Sequence, residues 1–336
     1  MTSDTSQLNS SDIAPELKRR VLITSGCRDC DYIPKVPGSG AVTSENGGRL
    51  QLMHNGVKVV ADGYCGKWMT ELIRLLDGHH EPQEEKIFHE VLKLLPQGAI
   101  MIELGSYWGY YSLWFQRVLD GARNYLIEPD PNNLAVGKKN FELNHANGEF
   151  FQYSVGKVSL PPRPFSCESD GDTRLIAEIS VDDFVRSQNI PRVDLLLSDI
   201  QGAELSMLEG ALDTITRSRL RFVFLSTHHH SISQDPLTHQ RCLSWIEKHG
   251  GHIIAAHSVT ESYSGDGLIV ASFDPADRQI EEIEVSRNHP TNSLFRELEY
   301  DLDDAQQQLR AIKQSRAFRL SSLVGRIKAR LTNLVS

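Results

Sequence analysis

The sequence has little cysteine, no long apolar run and no excess of positive charge. Only 5 of its 336 residues are cysteine, and a small odd number is typical of a reduced intracellular chain rather than a disulfide-bonded secreted one. No run reaches the roughly 18 to 20 apolar residues that span a bilayer. The first 20 residues also lack the apolar stretch of a secretory signal. We therefore expect a cytoplasmic protein.

The charge balance excludes one class of partner. The formal net charge is −9, whereas proteins that bind nucleic acid need a basic surface for the phosphates. With 40% apolar and 24% charged residues, the composition is that of an ordinary globular protein. We expect a small-molecule or glycan partner and no nucleic acid.

Two cysteines, Cys27 and Cys30, have CxxC spacing. A zinc site would need a second pair, but the other cysteines are scattered singly. A redox motif would need a following helix, and the segment after Cys30 is rich in turn residues. We interpret the pair as structural or incidental rather than as a metal or redox site.

Strand and helix patterns alternate regularly between residues 82 and 275. Continuously apolar strands such as "AIMIEL" and "VDLLLSDI" alternate with amphipathic helices, which predicts a doubly wound α/β domain with a mostly parallel, Rossmann-like sheet. Residues 1–20 are predicted to be disordered and 21–81 to form an extension with a hairpin at Asn55-Gly56. The proline-rich stretch 156–176 reads as irregular.

The remaining segment, 281–336, has a helical pattern. Apolar residues between Phe295 and Ile312 recur at 3-4 spacing, so residues 294–312 could pair in a homodimer. Residues 311–336 carry six Lys or Arg and no acid, which predicts a basic amphipathic helix. That helix would either dock on protein or lie on the inner face of the membrane.

The loop after the first strand of the domain, "IELGSYWG", has the features of a cofactor site. In open α/β sheets ligands bind beyond the carboxyl ends of the strands. Tyr107 occupies the middle position of a GxGxxG loop, which disfavours a pyrophosphate and leaves S-adenosylmethionine ahead of a nicotinamide cofactor. An acid about 20 residues further on can accept hydrogen bonds from a ribose. The predicted cofactor-binding residues are Glu103, Gly105, Ser106, Tyr107, Gly109, Glu128, Pro129, Asp130, Ser154 and Asp199.

Two further strand ends carry polar groups. One reads "SDIQGAE", with Asp199 and Glu204, and the other ends in the triplet His228, His229 and His230. Because side chains alternate along an extended segment, either His228 and His230 or His229 alone would face the site. Three interpretations stay open: a general base with Asp199, a metal site for an ion such as Mg²⁺ (Asp199, Glu204 and His228), or a solvated turn.

Two candidate substrate or lid segments complete the prediction. His79, His80 and Glu81 precede the first helix of the domain, where they would either cover the cofactor or simply cap the helix. Trp108 in the cofactor loop would either stack on an acceptor or belong to the core, and Glu204 would either face the acceptor or interact with its helix dipole.

In this order, "IELGSYWGYYSLWF", "LIEPDPNNLAVGKKNFELN", "VDLLLSDIQGAELSMLEGA" and "FLSTHHH" resemble the FkbM-type S-adenosylmethionine-dependent methyltransferases over about residues 82–272. The family usually has D-x-E-G-x-E where this chain has Gln201 in the middle, and usually an aspartate and an Asn-Gly turn where this chain has Glu103 and Ser106-Tyr107-Trp108. The resemblance implies a class I methyltransferase fold and methylation of a hydroxyl on a sugar, glycan or secondary metabolite. Two alternatives remain: a non-catalytic module of a glycan-assembly complex and a NAD-dependent oxidoreductase or epimerase.

Overall fold

A computed structural model describes residues 13–45, 47–315 and 317–318. The chain divides into two compact units, one up to Pro290 and one from Thr291 onward. The first unit contains all three sheets described below.

The N-terminal part of the first unit is a small antiparallel sheet flanked by helices. Its elements are α1 (Pro15–Thr24), β1 (Val42–Glu45), β2 (Gly48–Leu52), β3 (Lys58–Val60), α2 (Lys67–Leu75) and α3 (Pro82–Leu92). The hairpin predicted at Asn55-Gly56 is present, with β2 and β3 paired antiparallel on either side of it. Residues 15–20 were predicted to be disordered, and this was wrong, because they begin α1.

The central layer is a seven-stranded sheet with helices between its strands. In chain order its elements are β4 (Ile100–Leu104), α4 (Tyr110–Val118), β5 (Arg123–Ile127), α5 (Pro131–Leu143), β6 (Glu149–Phe151), α6 (Val181–Ser187), β10 (Val193–Ser198), α7 (Glu204–Glu209), α8 (Leu212–Thr216), β11 (Leu220–Thr227), α9 (His230–Ser233), α10 (Thr238–Lys248), β12 (His252–His257) and β13 (Gly267–Ser272). Every residue of β4, β10 and β13 is buried. This is why these strands read as continuous apolar runs rather than as alternating patterns.

The strand order is β12-β13-β11-β10-β4-β5-β6. The strands from β11 to β6 run parallel, and β13 is antiparallel to both of its neighbours. The predicted doubly wound, mostly parallel sheet is therefore confirmed. The order reverses between β4 and β10, and a crevice opens at such a switch point.

The stretch 156–176 is not irregular. It contains most of a second small sheet, formed by β7 (Ser154–Val155), β8 (Leu160–Ser166) and β9 (Thr173–Ile179) in the order β7-β9-β8. β8 carries prolines at positions 161, 162 and 164, and it tolerates them because it is an edge strand, where a missing N–H removes little ladder bonding. The register also shifts between Leu160 and Arg163.

Side-chain hydrogen bonds attach the N-terminal part to the central layer. Asn140 of α5 and Asn144, directly after it, accept bonds from the β3 backbone at Val60 (2.8 Å) and Lys58 (2.9 Å), respectively. Helix α1 is held to residues 263–266: Thr24 donates to the Tyr263 carbonyl (2.7 Å) and Arg20 to the Ser264 carbonyl (2.6 Å). The segment 21–81 is thus fixed on the domain at two places.

The second unit contains α11 (Arg296–Gln314), a helix at the position where the apolar spacing predicts one. Leu298, Leu302 and Leu309 are exposed on it, and the predicted homodimer through 294–312 stays a prediction. Most of the predicted basic helix 311–336 lies outside the described residues. None of the helices that the structure describes is long and apolar enough to cross a membrane.

Candidate active site

A cavity of about 540 Å³ opens at the carboxyl ends of β4, β5 and β10. This size is ordinary for a small-molecule or cofactor site. Its floor is the loop after β4, one wall is the start of α5, and a second wall is the β8–β9 hairpin. Tyr64 and residues around the start of α3, all of which precede β4 in the sequence, complete the lining.

Gly105 allows the loop after β4 to pass close to the end of β10. Its φ is +71°, and a Cβ at this position would lie 1.8 Å from the Asp199 carbonyl oxygen. The N–H groups of Gly105 and Ser106 both donate to the Ile127 carbonyl at the end of β5. Only glycine fits here, because any side chain would separate the two strand ends.

Two buried acids stand on either side of this loop. Glu103, on β4, accepts a hydrogen bond from the Ser112 N–H (3.1 Å), and burial raises its pKa to about 8. Glu128, just after β5, accepts from the backbone of Tyr107 (3.0 Å) and Asp130 (2.9 Å), and burial raises its pKa to about 7. Each Glu128 oxygen keeps capacity for a further bond, so the carboxylate can still accept hydroxyls from the cavity.

Asp130 also lines the cavity, but its carboxylate is engaged elsewhere. It caps α5 through the Asn132 N–H (2.9 Å) and accepts two bonds from Ser169, from the N–H and the hydroxyl (2.9 Å each). Asp130 therefore fixes the turn of the β8–β9 hairpin against the end of β5.

At the end of β10, Asp199 is joined to a buried histidine. Its Oδ1 lies 3.0 Å from His228 Nε2, and His228 Nδ1 lies 2.9 Å from Glu204 Oε1. Burial alone would lower the pKa of His228, but the bonds to Asp199 and Glu204 raise it well above its ordinary value. The ring is therefore an imidazolium between two acids, which holds Asp199 in place. Asp266 Oδ1 is 3.9 Å from the same Nε2, and burial raises its pKa to about 6.

Within the triplet, His228 contacts a residue of the cavity lining, Asp199. β11 ends at Thr227 and α9 begins at His230, so the alternation expected for an extended segment stops before the triplet. The His229 side chain caps α9 by accepting from the Ser231 N–H (3.2 Å), and the His229 and His230 rings lie 4.2 Å apart. The expectation that His228 and His230 would face the site together is not met.

A second carboxylate–imidazole pair reaches the cavity from α3. His80 is 1% exposed, with Nδ1 at 2.6 Å from Glu85 Oε1 and Nε2 at 3.2 Å from Glu81 Oε2. Burial opposes its protonation, but Glu81 and Glu85 raise the pKa of His80 to about 10. The Tyr111 hydroxyl also donates to Glu81 (3.3 Å). Glu81 and Asp199 are thus two cavity carboxylates, each held by a charged buried histidine.

Aromatic rings form the wall between these carboxylates. The Tyr64 and Trp108 rings are stacked, with centroids 4.5 Å apart and planes within 3°, and Tyr107 meets Tyr64 edge-on at 5.0 Å. His80 packs edge-on against Trp108 at 5.0 Å. This part of the cavity therefore combines flat apolar faces with hydrogen-bond acceptors.

Most of the predicted site residues meet in this cavity. Those in its lining are Glu103, Gly105, Ser106, Tyr107, Glu128, Pro129, Asp130, Ser154, Asp199, His80, Glu81 and Trp108. Gly109, His79, Glu204 and the triplet lie outside the lining. Gly109, at φ +67°, begins α4 and packs on Phe141 and Leu126. His79 is buried and turned toward His54, so it is not a lid residue.

Sequence reasoning missed several lining residues. They are Tyr64, Cys65, Glu84, Tyr111, Asn133, Val155, Arg163 to Ser166, Glu168, Glu178, Leu197, Ile200, Gln201 and Ala203. Arg163 pairs with Glu178 across the β8–β9 hairpin. Little in the sequence indicated these residues. The prolines of β8 disfavour the prediction of a strand there, and neither Tyr64 nor Glu84 is part of a recognised motif.

Part of this chain is similar to known proteins. Residues 97–253 match the family model described as the methyltransferase FkbM domain. No curated protein sequence matches the chain. Among solved structures, methyltransferase FkbM from Methylobacillus flagellatus KT is 18% identical, with 61% of this chain and 55% of that one covered and a TM-score of 0.40. Precorrin-6y C5,15-methyltransferase from Geobacter metallireducens GS-15 is 13% identical, with 55% and 87% covered and a TM-score of 0.36.

A third structure, TrmK from M. capricolum in complex with S-adenosylhomocysteine, is 13% identical, with 73% of this chain and 93% of that one covered and a TM-score of 0.37. The family match spans the strands and loops that carry Glu103, Glu128, Asp199 and His228. Residues 97–253 are therefore similar to the methyltransferase FkbM domain, and this match covers a little under half of the chain.

Proposed function

We propose that the protein transfers a methyl group from S-adenosylmethionine to a hydroxyl of a sugar, glycan or similar polyhydroxylated metabolite. The observation that carries the proposal is the division of the cavity. Cofactor-type groups lie at the ends of β4 and β5, and two histidine-held carboxylates and stacked aromatic rings line the same cavity.

The cofactor half suits a nucleoside without a pyrophosphate. Gly105 lets a ligand approach the loop backbone, and Glu128 offers free acceptor capacity to a ribose diol. Glu103 is buried beneath the loop, and its raised pKa suits a group that donates as well as accepts. When bound, the cofactor supplies a methyl group activated by a sulfonium.

The acceptor half has two tasks, which are to position the acceptor oxygen and to take up its proton. Asp199 lies at the cavity edge of β10, with its side chain 37% exposed. We assign it as the group that would accept the hydroxyl proton as the acceptor oxygen bonds to the methyl carbon, the carbon–sulfur bond breaks and S-adenosylhomocysteine leaves. His228 acts as a positioning residue, because both of its nitrogens are already bonded to Asp199 and Glu204.

The acceptor class follows from the chemistry of the wall. Carboxylates accept hydrogen bonds from hydroxyls, and the exposed side of the Tyr64–Trp108 pair can pack against the apolar face of a sugar ring. Phosphorylated acceptors are disfavoured, because Glu81, Glu84 and Asp199 lie close together here.

The test separates the cofactor from the acceptor. Titration calorimetry with S-adenosylhomocysteine should show binding to the wild type and a loss of about 10-fold to 100-fold in Glu128→Ala, the range for a lost hydrogen bond to a charged group. Glu142→Ala, an exposed acid on α5 (69% exposed side chain), is the matched control. Circular dichroism establishes that each variant is folded, and unchanged affinity in Glu128→Ala would contradict the assignment.

Turnover is then followed as S-adenosylhomocysteine release over a panel of neutral sugars, amino sugars and sugar phosphates. Methylation of neutral hydroxyls supports the proposal, whereas methylation of amines alone contradicts it. Binding without turnover across the panel would favour a non-catalytic module.

A further inference from the structure

Side chains from three sequence segments meet at one buried point outside the cavity lining. Cys30 comes from the CxxC segment, His54 from the β2–β3 turn, and His79 and Glu85 from the start of α3. Their exposed fractions are 4%, 2%, 1% and 0%. Ionisable side chains are rarely buried together unless they are paired or bind a metal.

The four side chains are close enough to share one ion. Cys30, His79 and Glu85 each present a ligand-type atom within 4.8 Å of the others. His54 lies beside them, with Nε2 at 4.0 Å from Glu85 Oε2 and its ring stacked 4.0 Å from that of His79.

Two nitrogens in this cluster lack partners. His54 Nε2 and His79 Nε2 are both buried, and neither has a hydrogen-bond partner among the residues that the structure describes. The other nitrogen of each ring is engaged: His79 Nδ1 with the Glu85 carboxylate, and His54 Nδ1 at 3.5 Å from the Pro34 carbonyl. His54 has the orientation common among metal-binding imidazoles, with its second nitrogen toward a carbonyl and its unpartnered Nε2 toward Glu85. His79 would bind through Nδ1, the nitrogen that faces the Glu85 carboxylate, because Glu85 is itself in the ligand set.

We propose that Cys30, His54, His79 and Glu85 form a structural zinc site. One sulfur, two nitrogens and one carboxylate oxygen are a ligand set that zinc binds, whereas Mg²⁺ requires oxygen ligands. The site differs from the Asp199–Glu204–His228 set considered from the sequence.

Binding of the ion would release a proton from the cysteine. Cys30 is a thiol that donates to the Pro82 carbonyl (3.1 Å). On binding, its sulfur forms a bond to Zn²⁺ and its proton is released to solvent, so a thiolate and a carboxylate balance the charge of the ion.

The site would stabilise one wall of the cavity. Glu85 also accepts bonds from the backbone N–H (2.8 Å) and Nδ1 (2.6 Å) of His80, the residue that holds Glu81. Zinc would therefore fix the start of α3 in the position that presents Glu81 to the acceptor.

Metal content tests the proposal on the full chain. Purified, untagged wild type should contain about one zinc per chain by mass spectrometry, and Cys30→Ser and His79→Gln less than about a tenth of that. Cys27→Ser and Cys242→Ser should keep the metal, since each also places a serine at a buried cysteine position, outside the cluster.

Cobalt provides a measurement that does not depend on a variant folding. After chelation, wild-type protein titrated with Co²⁺ should show the absorption of a tetrahedral site with a sulfur-to-cobalt charge-transfer band. The proposal is overturned if chelated wild type takes up neither Zn²⁺ nor Co²⁺. It is also overturned if Cys30→Ser holds zinc like the wild type, or if bound cobalt gives no sulfur band. None of these readouts depends on methyltransferase activity.

Discussion

Replacing His228 by asparagine should destabilise the protein strongly. His228 is 4% exposed and lies between Asp199 (3.0 Å) and Glu204 (2.9 Å). Glu204 is fully buried, and its Oε2 has no hydrogen-bond partner within the described part of the chain. Removing one partner of such a pair leaves an uncompensated charge, so His228→Asn should lower the free energy of unfolding by about 3–5 kcal/mol near neutral pH.

The double variant Glu204→Gln/His228→Asn should recover most of that loss, because it removes both charges. It also isolates the pH dependence. The pKa of His228 is raised on folding, since the bonds to Asp199 and Glu204 outweigh burial. Its stabilisation is complete below the unfolded pKa of about 6.5 and is lost as the pH rises toward the folded pKa. The difference in unfolding free energy between wild type and double variant should therefore move in favour of the double variant by about 1.4 kcal/mol per pH unit above pH 6.5.

Urea unfolding followed by tryptophan fluorescence from pH 6 to pH 9 measures both effects. His145→Asn is the control, because His145 is exposed and its φ of +52° is one that asparagine accepts. It should change stability by less than about 0.5 kcal/mol. A loss below about 1 kcal/mol in His228→Asn, or a gap that stays constant with pH, would refute the charged-histidine assignment.

Two further substitutions probe the loop and the proposed base. Gly105→Ala should abolish S-adenosylhomocysteine binding or prevent folding, because its Cβ would lie 1.8 Å from the Asp199 carbonyl oxygen. Gly171 is the control, since it has a similar φ of +74° with no atom within 4 Å of an added Cβ. Gly171→Ala should lower the free energy of unfolding by only about 1 kcal/mol, measured by thermal unfolding. Similar behaviour of the two glycine variants would show that the close contact is unimportant. Asp199→Asn should keep S-adenosylhomocysteine affinity while lowering kcat by about 100-fold to 10,000-fold, the usual contribution of a general base, and an unchanged kcat would exclude that role.

The central sheet and the cofactor side of the cavity were predictable because they depend on local patterns. A continuous apolar run such as β4 is recognisable from the sequence, and the residue that follows each parallel strand must lie at one shared edge. Glu103, Glu128 and Asp199 occupy that edge for this reason.

The acceptor side was harder to predict because long-range packing creates it. Tyr64 and Glu84 carry no motif, and they reach the cavity only because β3 binds α5 and α3 packs against the sheet. The predicted orientation of the histidine triplet was wrong for a different reason. The backbone turns after Thr227, and this ends the side-chain alternation on which the prediction relied. His79 and His80 both contact Glu85, but the His79 ring packs on His54 and the His80 ring on Trp108, and sequence spacing does not reveal that.

The attachment of α1 to residues 263–266 has an evolutionary consequence. Arg20 and Thr24 hold the segment that ends at Asp266, while Tyr64, Glu81 and Glu84 enter the same cavity from before β4. All of these residues lie outside the family-matched region 97–253, which contributes Glu103, Glu128 and Asp199. The residues proposed to contact the acceptor therefore come partly from outside the matched region, so substitutions in these flanking segments during evolution could alter the acceptor while Glu103 and Glu128 stayed the same.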